Sequence, residues 1–107
     1  MGHPFKIEIP KEKISMFCKK WKIIELALFG SVLREDFSPT SDIDVLVTFA
    51  PDHPWNLFDV VRMEGELKKI FGRNVDFVIR SGLEQSQNDI RREAIFSSAK
   101  VVYAKAA

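Results

Sequence analysis

Apolar residues change their period along the chain, and each change marks an element. From Pro10, the positions Ile14, Phe17, Cys18 and Trp21 recur at i, i+3, i+4 and i+7. That spacing predicts a short amphipathic helix with Pro10 in its first turn. Ile23 to Phe29 is apolar except for Glu25 and stops at Gly30-Ser31, which predicts a buried strand. From Asp42 to Phe49 the period falls to two. Asp42, Asp44, Leu46 and Thr48 share one face of this strand, and Ile43, Val45, Val47 and Phe49 the other. A second helix is predicted from about Trp55 to Phe71, with Leu57, Val60, Val61, Leu67, Ile70 and Phe71 as its stripe and Gly72 as its cap. Asn74 to Arg80 alternates again as a third strand. Asn88 or Asp89 can cap a helix through about Ser98, and Lys100 to Ala104 makes a last short strand.

Between these elements lie an extended lead-in over residues 1–10, a possible helical turn at Ser31 to Arg34, and loops at 36–41 and 50–54. The order helix–strand–turn–strand–helix–strand–helix–strand predicts an α/β (α+β) fold, one sheet with helices packed on it. The 107 residues fit one domain, and 46% hydrophobic against 29% charged residues is an ordinary globular balance.

Charge narrows the function classes. Sixteen Lys+Arg against fifteen Asp+Glu leave +1, so no global field draws the chain to nucleic acid or a membrane. Lys11, Lys13, Lys19, Lys20 and Lys22 cluster on the first helix, which a solvated helix face explains. Cys18 is the only cysteine, which excludes a disulfide framework and a multi-cysteine zinc site, and it reads as a small core residue. His3 and His53 are too few for a metal cluster. No apolar run approaches the roughly 18 residues of a membrane span, and no signal-peptide core opens the chain, so a cytoplasmic protein is expected.

Three carboxylates carry the chemistry. Asp42 and Asp44 project from one strand face, roughly 6–7 Å apart along the backbone. Asp76 interrupts the apolar strand Val75 to Ile79, where a charge is expensive unless paired or metal-bound. If the two strands are neighbours, the three acids converge and repel each other unless a divalent cation intervenes. Mg²⁺ suits such a set, because it takes a few carboxylates and fills its shell with water and phosphate oxygens. Gly30-Ser31 closes the preceding strand. Glycine admits a phosphate close to the backbone, a following helical turn would aim N–H groups at it, and the Ser31 hydroxyl adds one donor. Alone, Gly-Ser is a common turn and Asp-x-Asp a common solvated strand edge. At residue usages of roughly 5–7%, both at one fixed spacing arise by chance in about one chain per thousand of this size.

Gly30-Ser31, ten residues, then Asp42-Ile43-Asp44 resembles the signature of the minimal nucleotidyltransferases (MNT) of the DNA polymerase beta superfamily. Leu28-Phe29-Gly30-Ser31 with Arg34, and Ser41 to Val47, resemble that family's core stretch. Asn56 to Val61 and Gly72 to Val78 resemble its following helix and third-carboxylate strand. The resemblance runs from about Ile24 to Tyr103. It implies a nucleotidyltransferase fold with a single mixed sheet of about three to four strands. It also implies that Asp42, Asp44 and Asp76 hold Mg²⁺, that Asp76 accepts the acceptor's proton, and that Gly30, Ser31, Arg34 and Ser41 bind the nucleotide, with ATP as donor. One departure is Glu35, where the family usually has glycine.

The same resemblance implies a partner. Family members commonly pair with an all-helical HEPN protein as toxin and antitoxin, in some systems adenylylating a tyrosine of the toxin. Two functions stay open at this level: Mg²⁺-dependent transfer of AMP from ATP to a partner protein, or a non-catalytic antitoxin that neutralises its partner by docking. The full carboxylate set with Gly-Ser favours transfer. The absence of a basic stripe argues against intrinsic nucleic-acid binding.

Overall fold

The computed structural model describes residues 9–30, 41–51 and 55–105. Helix α1 (Lys11–Lys20) leads into strand β1 (Ile23–Phe29), followed by β2 (Ile43–Phe49), α2 (Leu57–Phe71) and β3 (Val75–Ile79). A short helix α3 (Arg80–Glu84), α4 (Asp89–Ser98) and β4 (Lys100–Ala104) complete the order. The four strands form one sheet in the order β3-β2-β1-β4. β1 is antiparallel to both β2 and β4, while β2 and β3 run parallel. The sheet is therefore mixed and flanked by helices, as expected.

Each sheet face carries its own core, and the period-two alternation of β2 decides which residue joins which. Ile43, Val45 and Val47 are fully buried with Ile14, Phe17 and Cys18 of α1 and Met63 and Leu67 of α2. Leu46, on the opposite face, packs with Ala27, Phe29, Leu83 of α3 and Ile95 of α4. The chain is thus three-layered, with α1 and α2 on one side and α3 and α4 on the other.

Helix boundaries follow local chemistry. Helix α2 begins at Leu57 and not at Trp55, because Asn56 caps it: its side chain accepts the Asp59 N–H at 3.0 Å, and the Asp59 carboxylate accepts the Asn56 N–H at 3.1 Å. Trp55 instead donates its indole N–H to the Trp21 carbonyl at 2.6 Å and meets the Trp21 ring edge-on. Gly72 ends the helix in the left-handed conformation, φ 73°. The buried stripe of α2 also differs from the predicted one. Met63 and Leu67 are its buried residues, with Ile70 and Phe71 packed against the core as expected, whereas Leu57 and Val61 are 75% and 59% exposed. Val61 falls on a different helical face from Val60 and Met63, and Leu57 stands in the first turn, with Phe58 80% exposed beside it.

Helix α3 was not legible from periodicity. Its five residues bury only Leu83, and Arg80 anchors it by reaching Glu84 at 3.2 Å and Glu25 at 3.4 Å and covering the Phe96 ring at 4.8 Å. Helix α4 is capped by Asn88, whose side chain accepts the Arg91 N–H.

Candidate active site

Sheet register, more than any loop, assembles the site. In the parallel pair, Asp44 stands directly opposite Asp76. In the antiparallel pair, Asp44 stands opposite Phe29, the residue before Gly30. Phe29, Asp44 and Asp76 therefore form a row across three neighbouring strands, whose backbones lie roughly 5 Å apart, and Gly30, the next residue after Phe29, sits against the Asp44 carboxylate. The row lies at the N-terminal ends of β2 and β3. Asp44 and Asp76 point to the face that also carries Leu46 and Val78, at the border of the smaller core.

Gly30 is fixed by that row. It adopts φ 73°, and a Cβ built there would land on the Asp44 carboxylate, 3.1 Å from its Cγ. Glycine removes both the conformational and the steric obstacle. The sequence supplied a phosphate-approach reason for Gly30; the structure adds that the nearer neighbour is a carboxylate.

Asp42 lies just before β2 and is exposed. Its backbone is gripped on both flanks by the turn that enters β3. The Ile43 N–H donates to the Asn74 carbonyl at 2.9 Å, and Arg73 Nη1 donates to the Ser41 carbonyl at 3.3 Å. The left-handed Gly72 turns the chain so that Arg73 leaves α2 toward this segment. Arg73 is a functional-site neighbour that the motif did not single out. The Gly-Arg pair that closes a helix just before the third carboxylate was the available signal. Arg80, at the far end of β3, is engaged with Glu25 and Glu84.

Two expectations need correction. Asp76 is exposed, so no burial penalty demands a partner for it: it begins an edge strand and faces solvent while Val75 beneath it is buried. In addition, no three carboxylate, thiol or imidazole groups among the described residues gather closely enough to enclose a cation as they stand. Like-charged carboxylates hold apart unless a cation lies between them. The donor chemistry nonetheless fits a hard divalent ion, since Asp44 and Asp76 offer oxygen ligands in facing register and Mg²⁺ needs only a few of them. Ser41 is half-buried at the mouth of β2. Ser31, Arg34 and Glu35 lie outside the described residues.

Comparison with known proteins shows the family and the fold. The profile of the nucleotidyltransferase domain family matches residues 11–101. A relative in Methanocaldococcus jannaschii, named among protein adenylyltransferases, is 34% identical over 86 residues, covering 79% of this chain and 90% of its own. A solved minimal nucleotidyltransferase is 28% identical with a TM-score of 0.64, over 84% of this chain and 86% of that one. A chain from a complex of tri-AMPylated Shewanella oneidensis HEPN toxin with MNT antitoxin shares the fold at 20% identity and a TM-score of 0.60, over 89% of this chain and 70% of that one.

Proposed function

The chain belongs to the nucleotidyltransferase domain family, and from that premise we propose that it transfers AMP from ATP to a hydroxyl of a partner protein. The observation that carries the reading is Asp44 standing in register with Asp76 on the neighbouring strand and lying against Gly30. In the proposed reaction an acceptor oxygen bonds to the α-phosphorus of ATP. The bond from that phosphorus to the bridging oxygen breaks, and pyrophosphate leaves with its electron pair. The acceptor's proton passes to a carboxylate of the row, for which Asp76, exposed at the sheet edge, is the accessible choice.

Each residue has a part derived from its position. Asp42 and Asp44, with Asp76, would hold Mg²⁺, which when bound offsets the charge between phosphate and carboxylates. Gly30 leaves room for the Asp44 carboxylate, and a glycine there would let a phosphate approach the backbone. Ser31, Arg34 and Ser41 are assigned to the triphosphate. Arg73 and Asn74 hold the Asp42 segment in place through the Ser41 carbonyl and the Ile43 amide.

A HEPN-type helical protein is the proposed acceptor and the toxin of the pair, supported by the adenylyltransferase name of the archaeal relative and by the fold shared with the chain of the AMPylated complex. Neutralisation by docking alone is the second reading. Leu57, Phe58 and Val61 favour it, since they expose apolar surface on α2 and involve no carboxylate. Incubation of the purified protein and its helical partner with α-labelled ATP and Mg²⁺ tests the first reading. Label should enter the partner with stoichiometric pyrophosphate release, and Asp44→Asn should stop both. Label retained with Asp44→Asn would refute the carboxylate assignment.

A further inference from the structure

At the opposite end of β1 from Gly30, a cavity of about 380 Å³ opens between the end of α1 and the last residues of β4. Its lining includes Lys19, Lys22 and Lys105, with Ile23, Ile24 and Tyr103. The seven residues of β1 separate it from the candidate active site by roughly 20 Å. The lining contains three lysines and no carboxylate, on a chain whose net charge is only +1. None of the three lysines takes part in an ion pair among the described residues. Lys20, their neighbour, is by contrast bound to Glu66 at 2.8 Å.

Backbone geometry gives a second, independent observation. Lys22 is the only non-glycine residue among those described with a positive φ, 57°. It follows the end of α1, where glycine is the strain-free choice. Strain of this kind persists where the side chain has a use or the surroundings impose it. Lys19 and Lys22 could serve α1 alone, because cations favour a helix C-terminus. Lys105 has no such reason, as it follows β4, the strand paired with β1, and lies on no helix. Its amide is fixed there by the Ile24 carbonyl at 2.8 Å, just as the Ala50 amide is fixed by the Lys22 carbonyl at 2.9 Å. The cavity mouth is thus pinned by two backbone bonds that bring separate elements, and their lysines, together.

We propose that this cavity binds a phosphate monoester carrying a planar apolar body, a mononucleotide in size and chemistry. The ammonium groups of Lys19, Lys22 and Lys105 take the phosphate, and the body rests on half-buried Ile24 and the half-buried ring of Tyr103. The volume lies at the lower end of the range for small-ligand pockets, about 300–1,000 Å³. This site neither uses the carboxylate row nor depends on the transfer reaction.

Titration with AMP in metal-free buffer, followed by backbone amide NMR, tests it. Saturable shifts are expected at Lys22, Ile24, Ala50 and Lys105, with Gly30, Asp44 and Asp76 unmoved. Adenosine and inorganic phosphate should each bind at least about tenfold more weakly, the loss of one charge-assisted or one apolar contribution. Lys22→Gly should raise Tm by relieving the left-handed lysine and yet weaken AMP binding about tenfold. Lys105→Gln should weaken it similarly with Tm unchanged. The proposal is overturned if the shifts appear at the carboxylate row, if adenosine or phosphate binds as well as AMP, or if both variants keep wild-type affinity.

Discussion

Gly30→Ala should be far more damaging than Gly72→Ala, although the two glycines share one backbone conformation, φ 73° in each case. Moving an L-residue into the left-handed region costs about 1–2 kcal/mol at either position. At Gly72 nothing lies within 4 Å of the added Cβ, so that is the whole penalty. At Gly30 the Cβ meets the Asp44 carboxylate, and either Asp44 or strand β1 must shift. Overpacking of this kind adds about 1–3 kcal/mol, for a total of roughly 2–5 kcal/mol. For a domain of this size each 1 kcal/mol moves Tm by about 4–8 °C, so urea or thermal melts resolve the two variants easily. Transfer activity should fall in Gly30→Ala, because the displaced carboxylate is one of the three assigned to the metal, and stay near wild type in Gly72→Ala. Adding Asp44→Ala to Gly30→Ala should recover the steric part of the stability loss and leave activity absent. Equal melting points for the two alanine variants, with transfer retained in both, would refute the close packing of Gly30 on Asp44.

Other consequences are separately measurable. Asn56→Ala removes the cap on the Asp59 amide and should destabilise by about 1 kcal/mol without altering activity, read from urea midpoints at constant m. Partial burial pushes the Glu66 carboxyl up, but hydrogen bonds from Lys20 and Trp21 and the charges of Lys20 and Arg62 outweigh it and hold the group below its ordinary 4.5. A depressed carboxylate contributes stability that is present above its unfolded value and lost as pH falls through the folded one. Glu66→Gln should therefore narrow the gap to wild type only below about pH 4.5, and a gap that stays constant down to the acid transition would contradict the linkage. Burial pushes the Cys18 thiol up to about 12, so it should resist thiol reagents at pH 8 until the protein unfolds; stoichiometric labelling of the native state would contradict its place in the core.

What the sequence disclosed and what it hid divide along physical lines. Strand β2 was legible because its alternation is strict and both faces find a core, so burial of Ile43, Val45 and Val47 opposite Leu46 follows from period alone. The pairing of Asp44 with Asp76 followed once β2 and β3 were taken as neighbours, because Asp-x-Asp and the third acid then fall into register. Helix α2 was found, and Leu67, Ile70 and Phe71 of its predicted stripe pack on the core, but Met63, outside that stripe, is fully buried while Leu57 and Val61 are exposed. The start of α2 was misplaced because Trp55 looks like a helix residue, yet its indole is bound to the Trp21 carbonyl, a contact 34 residues away. Helix α3 depends on Arg80 reaching Glu25 on another strand, which no local window contains. The clash that makes Gly30 obligatory was likewise hidden, because its partner Asp44 is brought near by strand pairing and not by sequence distance.

The measurement closest to the central claim is the intact mass of the proposed HEPN-type partner after incubation with this protein, ATP and Mg²⁺, run beside Asp44→Asn. Replacing a carboxylate by its amide keeps shape and removes one charged ligand, so it tests transfer while leaving a docking surface in place. Wild type should raise the partner's mass by whole adenylyl increments, and Asp44→Asn should still form the complex but leave the mass unchanged. A partner neutralised equally by both proteins, with its mass unaltered by either, would contradict the transfer reading.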